Sequence, residues 1–486
     1  MSRSIFEILE NSSKTQPDKI ALILDSQEVT YSQLLKKSIN FSEKFIDLTN
    51  VGDVISLISE NSINFIANYF AILRSGCIAH IIPPQTSDQN IIFQTNETNS
   101  KLILHSSFTG DKIKRIVQSI KSINIDEEIN STLLRTNPRY CDYSSILFTS
   151  GTTGIPKGVL LKHANILSTT QNIVKKLELS KNDIELNPLP LSHSFGLGCI
   201  HAIMSQGGTS LIFKNTINLK HILKVMSLNE CTGFVSVPFI FEKFLISYPD
   251  EFVSCKKSLR YMLTNSGPIK EHTTKKLLKF FPNTKIFTYY GLTEASRSTF
   301  LLFNNNLDKL TSVGKPPFNI QIKIIDEQTN NLQKNQSGEI LIKGLNVIER
   351  YWKNQKNNPK IIDGWLYTGD LGHFDDDNYL YIDGRIDDRI NVSGEKFYPS
   401  EIENILKTID GISESIVVGI PDKSFGEIPV ALIVGDNTKE NNILKICNLK
   451  LENYKMPRII FVSEIPTAAG KISRKLIREM IINEEI

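Results

Sequence analysis

The sequence predicts an α/β protein: a large N-terminal domain of mostly parallel sheets flanked by helices, carrying a small β-rich subdomain, then a small C-terminal α/β domain. Three observations predict it. Short β-rich apolar runs alternate with helical stretches through roughly the first 310 residues. After Gly314 closely spaced strand pairs replace that alternation. Beyond Arg385 a second, smaller α/β pattern begins.

Taken in order, Ile5, Phe6, Ile8 and Leu9 sit at helical spacing, IALIL (20–24) reads as a buried strand, and Tyr31 to Phe45 reads as a helix. VISLIS, a helix through NFIANYFAILRSG and the strand CIAHII follow. The same rhythm continues through GTSLIF, CTGFVSV, LRYMLT and TKIFTYY, which implies parallel strands joined by helices. IQIKII and GEILIK are separated by Asn/Gly-rich turns such as DEQTNN, the pattern of antiparallel pairs. In the last region Ser400 and Glu403 are spaced as a capping box. Ile402, Ile405, Leu406 and Ile409 then mark a helix, SIVVGI and VALIVG mark strands, and a helix is expected around Ile443 to Leu451.

Totals exclude several classes. A chain of 486 residues exceeds one compact core. Net charge is +3 with both signs interspersed, which argues against a nucleic-acid or membrane-surface protein. The six cysteines are far apart, with no CxxC pair and no metal-ligand spacing, as expected of reduced thiols in the cytoplasm. The N-terminus is too polar for a signal peptide, and no apolar run reaches membrane-spanning length.

The chemistry concentrates first in TSGTTGIPKG (149–158), between the apolar run Ile146–Phe148 and Gly158–Leu161. Gly151 and Gly154 free the backbone to turn its N–H groups toward one point. Thr149, Ser150, Thr152 and Thr153 add hydroxyl donors, and Lys157 adds a compact positive charge. A phosphate chain is the natural guest of such a loop. It is not a Walker loop, because the G-x-x-x-x-G-K-[ST] spacing fails and a strand follows.

Five further blocks follow in order: YYGLTE (289–294), GEILIKG (338–344), GWLYTGDLG (364–372), YIDGRIDDRINVSGEKFYPSEIE (381–403) and PTAAGKISRK (466–475). With the loop, they resemble the superfamily of AMP-forming adenylating enzymes, which includes acyl-CoA synthetases, luciferases and peptide-synthetase adenylation domains. The resemblance spans nearly the whole chain. It implies an adenylation domain over 1–384 with its β-rich subdomain at about 310–384, a hinge at 385–388, and a mobile lid domain over 389–486.

The implied reaction joins a carboxylate to the α-phosphate of ATP, expels pyrophosphate, and passes the acyl group of the adenylate to a thiol. One anion must attack another, so positioning and charge neutralisation dominate the chemistry. The resemblance assigns the 149–154 loop to the β- and γ-phosphates, Thr293 to the α-phosphate and Glu294 to Mg²⁺. Tyr290 and Gly291, with Thr288 and Tyr289 beside them, would face the adenine, and Ser266 and Gly267 of TNSGP would lie on its other side. Asp370 would accept both ribose hydroxyls, with Arg385 holding the same sugar. Lys471 would reach the α-phosphate and carboxylate during adenylation, then leave as the lid rotates about Asp387. Ser393, Gly394 and Lys396 would then line the thiol's approach.

Amino-acid-activating relatives carry an aspartate after the phosphate loop that pairs with the substrate ammonium. PLPLSHSFGLGCI (188–200) holds no acid and offers His193, Phe195 and Gly196 instead, which favours a fatty or aryl acid. The expected cofactors are ATP, Mg²⁺ and coenzyme A, with the phosphopantetheine of a free acyl carrier protein as the alternative acceptor. Amino-acid adenylation and luciferase-like activity are the further alternatives. Asp375, Asp376 and Asp377 read as a hairpin turn rather than a calcium loop, and His163, His201 and His221 read as structural.

Overall fold

The computed structural model describes residues 3–127, 137–149, 156–214, 218–353, 360–468 and 471–486, with the side chains of 467, 468, 471 and 472 left aside. Two compact units emerge: 1–322 with 342–367, and 323–341 with 368–486.

The first unit contains two helix-flanked sheets. The six-stranded sheet runs Lys121–Asn124, Leu102–His105, Val54–Ile58, Ile78–Ile82, Tyr143–Thr149 and Lys157–Lys162. All neighbours in it are parallel except the last pair, which is the antiparallel hairpin around the phosphate loop. The eight-stranded sheet runs Thr299–Leu302, Lys285–Tyr290, Tyr261–Thr264, Gly233–Ser236, Ile184–Asn187, Thr209–Ile212, Ile20–Leu24 and Gln27–Thr30. It too is parallel except at its two edges. Strands such as Val54–Ile58 and Ile78–Ile82 are buried on both faces, which is why they read as apolar runs interrupted only by Ser56 and His80.

The helix Ile63–Arg74 shows how local chemistry and packing agree. Ser62 caps it by accepting from the Phe65 amide, and its side chains are buried on every face. Arg74, at its last turn, is buried too and pairs with Glu43 at 2.9 Å. Removing either partner would strand a buried charge.

A five-stranded sheet carries the β-rich segment. Ile320–Ile325, Gly338–Gly344, Trp365–Phe374 and Ile361–Ile362 lie in that order, and Leu380–Arg385 pairs antiparallel with Trp365–Phe374. The turn between those last two strands is the Asp375–Asp377 segment, where Asp375 accepts from the amides of Asp377 and Tyr379. The acidic run is a hairpin turn, as expected.

In the second unit the long antiparallel pair Ile412–Asp422 and Gly426–Gly435 packs a helix, Pro399–Leu406, through Ile402 and Leu406. The capping box expected at Ser400 and Glu403 is two residues earlier. Pro399 takes the first helical position, and the Tyr398 amide donates to Glu401 Oε1 at 2.9 Å. Glu403 instead accepts from the Val417 amide at 2.8 Å and from Arg474 at 2.6 Å. Proline's fixed φ favours the helix start, so it sets the boundary over the competing Ser-x-x-Glu spacing.

Among the described residues no helix is long and apolar enough to cross a membrane. All six cysteines are free, and five are buried.

Candidate active site

In the first unit, Thr149 and Lys157 are cross-strand partners at the base of the phosphate loop. Ser150, Gly151, Thr152, Thr153 and Gly154 lie outside the described residues. The half-buried Lys157 stands over the ring of Tyr351, 5.6 Å from its centroid. The Tyr351 hydroxyl in turn donates to Glu294 Oε1 at 2.9 Å. Backbone bonds hold this group in register: Trp352 N–H to the Gly158 carbonyl at 2.7 Å, and Ile348 N–H to the Glu294 carbonyl at 3.0 Å. The phosphate-loop lysine and the carboxylate of YYGLTE thus share one aromatic neighbour.

Thr293 and Glu294 sit in a tight turn closed by reciprocal amide–carbonyl bonds between Leu292 and Ala295. Gly291 is required before it, because a β-carbon there would stand 2.5 Å from the Arg297 amide nitrogen. Thr288 and Tyr289 are buried on the strand leading in, while Tyr290 is half-buried at its end. On the neighbouring strand's exit, Ser266 adopts φ 85°, a left-handed conformation unusual for a serine. Gly267 beside it has open space where a side chain would be.

Mg²⁺ takes oxygen ligands in octahedral geometry and commonly keeps substrate phosphates and waters in its shell. The Glu294 carboxylate, hydrogen-bonded by Tyr351, is an oxygen donor of that kind, and no group of three His, Cys, Asp or Glu side chains is gathered among the described residues. This donor set fits a cation shared with a polyphosphate better than a metal held by protein alone.

A small cavity of about 40 Å³ opens beside Thr293, with Ser194, Gly198, His201, Arg297 and Asn346 among its walls. His193, Phe195 and Gly196 are not in those walls. His193 is exposed at the start of the helix Ser194–Ser205, and Phe195 packs edge-on against Tyr289 with centroids 5.4 Å apart. Gly196 backs onto Leu189–Pro190, where a β-carbon would lie 2.6 Å from the Pro190 carbonyl oxygen. The wall is contributed by the next turns of that helix.

In the second unit, Asp370 and Arg385 face each other across antiparallel strands. Arg385 donates to Asp370 Oδ1 at 2.6 Å, and the Asp370 amide donates to Thr368 Oγ1 at 3.0 Å. Asp370 is buried, and Arg385 is more open. Asp387 is exposed in the short 3₁₀ turn Ile386–Asp388, whereas Asp388 beside it pairs with Arg474 at 3.1 Å. Burial raises the Asp388 carboxyl pKa, with Arg474 opposing that effect. Ser393 and Gly394, with φ of 53° and 95°, form the tip of a hairpin that leaves Lys396 exposed. Lys471 begins a two-residue strand paired with Thr467–Ala468, and its side chain lies outside the described parts.

The sequence reading passed over Arg297 and took His201 as structural, and both line this cavity. Arg297 is the largest fully buried side chain among the described residues, yet it sits just past a motif that drew attention to Thr293 and Glu294. Its one local sign was a charged residue between small ones in EASRST.

A family model described as AMP-binding enzyme matches residues 9–352, and one described as AMP-binding enzyme C-terminal domain matches 401–471. The chain is 31% identical to a 2-succinylbenzoate–CoA ligase of Oceanobacillus iheyensis, with 98% of this chain and 99% of that one covered. It is 28% identical to a long-chain fatty acid–CoA ligase of Mycobacterium tuberculosis over 88% of each. The solved structure of o-succinylbenzoate CoA synthetase from Bacillus subtilis, in complex with its acyl-adenylate intermediate, matches with a TM-score of 0.85. Identity there is 27%, and 97% of each chain is covered.

Proposed function

The chain belongs to the AMP-binding enzyme family and is an AMP-forming acid–thiol ligase that uses ATP and coenzyme A, and from that premise we propose how its residues divide the work. The 149–154 loop with Lys157 holds the β- and γ-phosphates, and Thr293 donates to the α-phosphate. Glu294, fixed by Tyr351, ligates Mg²⁺, which when bound offsets phosphate charge during attack. Asp370 and Arg385 hold the ribose, while Ser266, Gly267, Thr288, Tyr289, Tyr290 and Gly291 frame the adenine. Lys471 neutralises charge between carboxylate and α-phosphate. Rotation about Asp387 then withdraws Lys471 and brings Ser393, Gly394 and Lys396 to the thiol, so that residues 385–388 act as hinge between 1–384 and 389–486.

We assign the substrate to fatty or aryl acids rather than amino acids, since 188–200 supplies no carboxylate for an ammonium. His193, Phe195 and Gly196 stand outside the cavity wall and act on that pocket only through the helix they begin, whose Ser194, Leu197, Gly198 and His201 line it. The two relatives named above act on 2-succinylbenzoate and long-chain fatty acids, which supports this class. The reduced cysteines favour a cytoplasmic setting.

The observation that carries the nucleotide assignment is the Lys157–Tyr351–Glu294 group, which ties two separated motifs into one cluster. Exchange of labelled pyrophosphate into ATP tests it. Exchange should require Mg²⁺ and a carboxylic acid, and should be lost in Glu294→Gln. Exchange in Glu294→Gln at the unmodified rate would reject the assignment.

A further inference from the structure

The cavity beside Thr293 exposes more apolar than polar surface, and Arg297 is the one charged group in its described wall. Arg297 is 1% exposed. Two of its nitrogens are anchored, Nη1 to the Ser194 carbonyl at 2.8 Å and Nη2 to the Phe195 carbonyl at 2.9 Å, while Nε has no partner among the described residues. Carbonyl dipoles fix the guanidinium in place, but they bring no countercharge. No described carboxylate forms an ion pair with it.

Glu185 is the acid that senses its charge. Burial pushes the Glu185 carboxyl up to about 8, so it is protonated at neutral pH, and it is occupied with the Tyr261 hydroxyl at 2.7 Å. A buried cation without a counterion is costly. The fold nonetheless reserves space for it, since Gly198 leaves open the volume that the guanidinium fills.

His201 faces the same cavity. It is 2% exposed, and both of its ring nitrogens are without a hydrogen-bond partner among the described residues. An imidazole buried in this way has desolvated a donor and an acceptor with nothing in return. Two unmet donors, one of them on a cation with no ion-paired carboxylate, therefore lie on side chains that line the cavity beside the residue assigned to the α-phosphate.

We propose that the acid activated here carries a second carboxylate, which Arg297 and His201 hold through the guanidinium Nε–H and the imidazole N–H. This rests on the ligase reading above and narrows its substrate class to dicarboxylic acids, aliphatic or aromatic. A plain hydrocarbon tail would leave Arg297 and His201 unsatisfied in a dry pocket.

The test is a comparison of matched acids on the full chain: pentanoate with pentanedioate, and benzoate with benzene-1,2-dicarboxylate. In whichever pair turns over, kcat/KM for pyrophosphate release should favour the diacid by about 10- to 100-fold, the span expected for hydrogen bonds to a charged group. Arg297→Met and, separately, His201→Phe should shrink that ratio. Equal or better use of the monoacid by the unmodified chain overturns the proposal and leaves the ligase reading standing, as does a ratio unchanged in both variants. If no acid releases pyrophosphate, the ligase reading falls. The subsite is then judged by melting temperature: a rise with pentanedioate that Arg297→Met abolishes supports it, and no rise overturns it. Should either variant fail to fold, the ratios of the unmodified chain decide.

Discussion

The Arg297 guanidinium fills the space that a side chain on Gly198 would occupy: a β-carbon built there lies 2.6 Å from Nη1 and 2.8 Å from Cζ. Glycine inside a helix costs about 1 kcal/mol relative to alanine, so this position gives up helix stability to seat a cation 99 residues later in the chain. Gly198→Ala reverses the exchange. The crowding should outweigh the helix gain and lower unfolding free energy by about 1–3 kcal/mol, read from the denaturant midpoint. A stabilised Gly198→Ala would mean that the guanidinium moves aside freely.

Asp370→Asn keeps the shape of the carboxylate but removes its charge. Arg385 then loses a charge-assisted partner, and the ribose loses a strong acceptor. KM for ATP should rise about 10- to 100-fold, with the acid's KM nearly unmoved. Steady-state kinetics at saturating acid checks this.

Tyr351→Phe deletes the hydroxyl that orients Glu294 and keeps the ring under Lys157. The dependence of rate on Mg²⁺ should shift to higher concentration by about tenfold, the usual effect of removing a residue that positions a metal ligand. A Mg²⁺ titration of pyrophosphate release, with the unmodified chain in parallel, reads the shift directly.

Three buried histidines make the fold acid-sensitive. Burial holds His80 and His201 down to about 3 and His163 to about 4, with the Arg297 charge adding to the effect at His201. Each is neutral in the fold but gains a proton on unfolding below its ordinary pKa of 6.5. Stability is therefore lost as pH falls through 6.5, by about 1.4 kcal/mol per pH unit per proton. Glu185 works in the opposite direction. Its raised pKa favours the fold toward lower pH, so between its unfolded value of 4.5 and 6.5 it offsets one of the three. The net expectation is a loss of about 3 kcal/mol per pH unit across that window, visible as a steep fall in urea midpoint between pH 6.5 and 5. A flat profile would show that these imidazoles are hydrated in solution.

The family and the blocks proposed for the nucleotide were legible because each block is a short contiguous run whose residue types suit one task. Asp370 and Arg385 sit 15 residues apart in the sequence, and the hairpin that makes them cross-strand partners could be read from the polar turn between two apolar runs. The features that escaped are those whose meaning lies in distant contacts. His201 is one more residue on an apolar helix until the cavity beside it is known, and nothing local says that both its nitrogens lack partners. Nothing beside Gly198 in the sequence says that it makes room for Arg297. At residues 398–403 two capping patterns overlapped, and the proline decided between them.

The central claim is that this chain transfers the acyl group of an acid through an adenylate to a thiol. The most direct measurement is a product balance after incubating the chain with ATP, Mg²⁺, coenzyme A and a panel of acids, resolved by mass spectrometry. The account predicts one AMP, one pyrophosphate and one acyl-CoA thioester per turnover, together with an acyl-adenylate when coenzyme A is withheld. Release of ADP and phosphate, or a thioester formed without AMP, would contradict it.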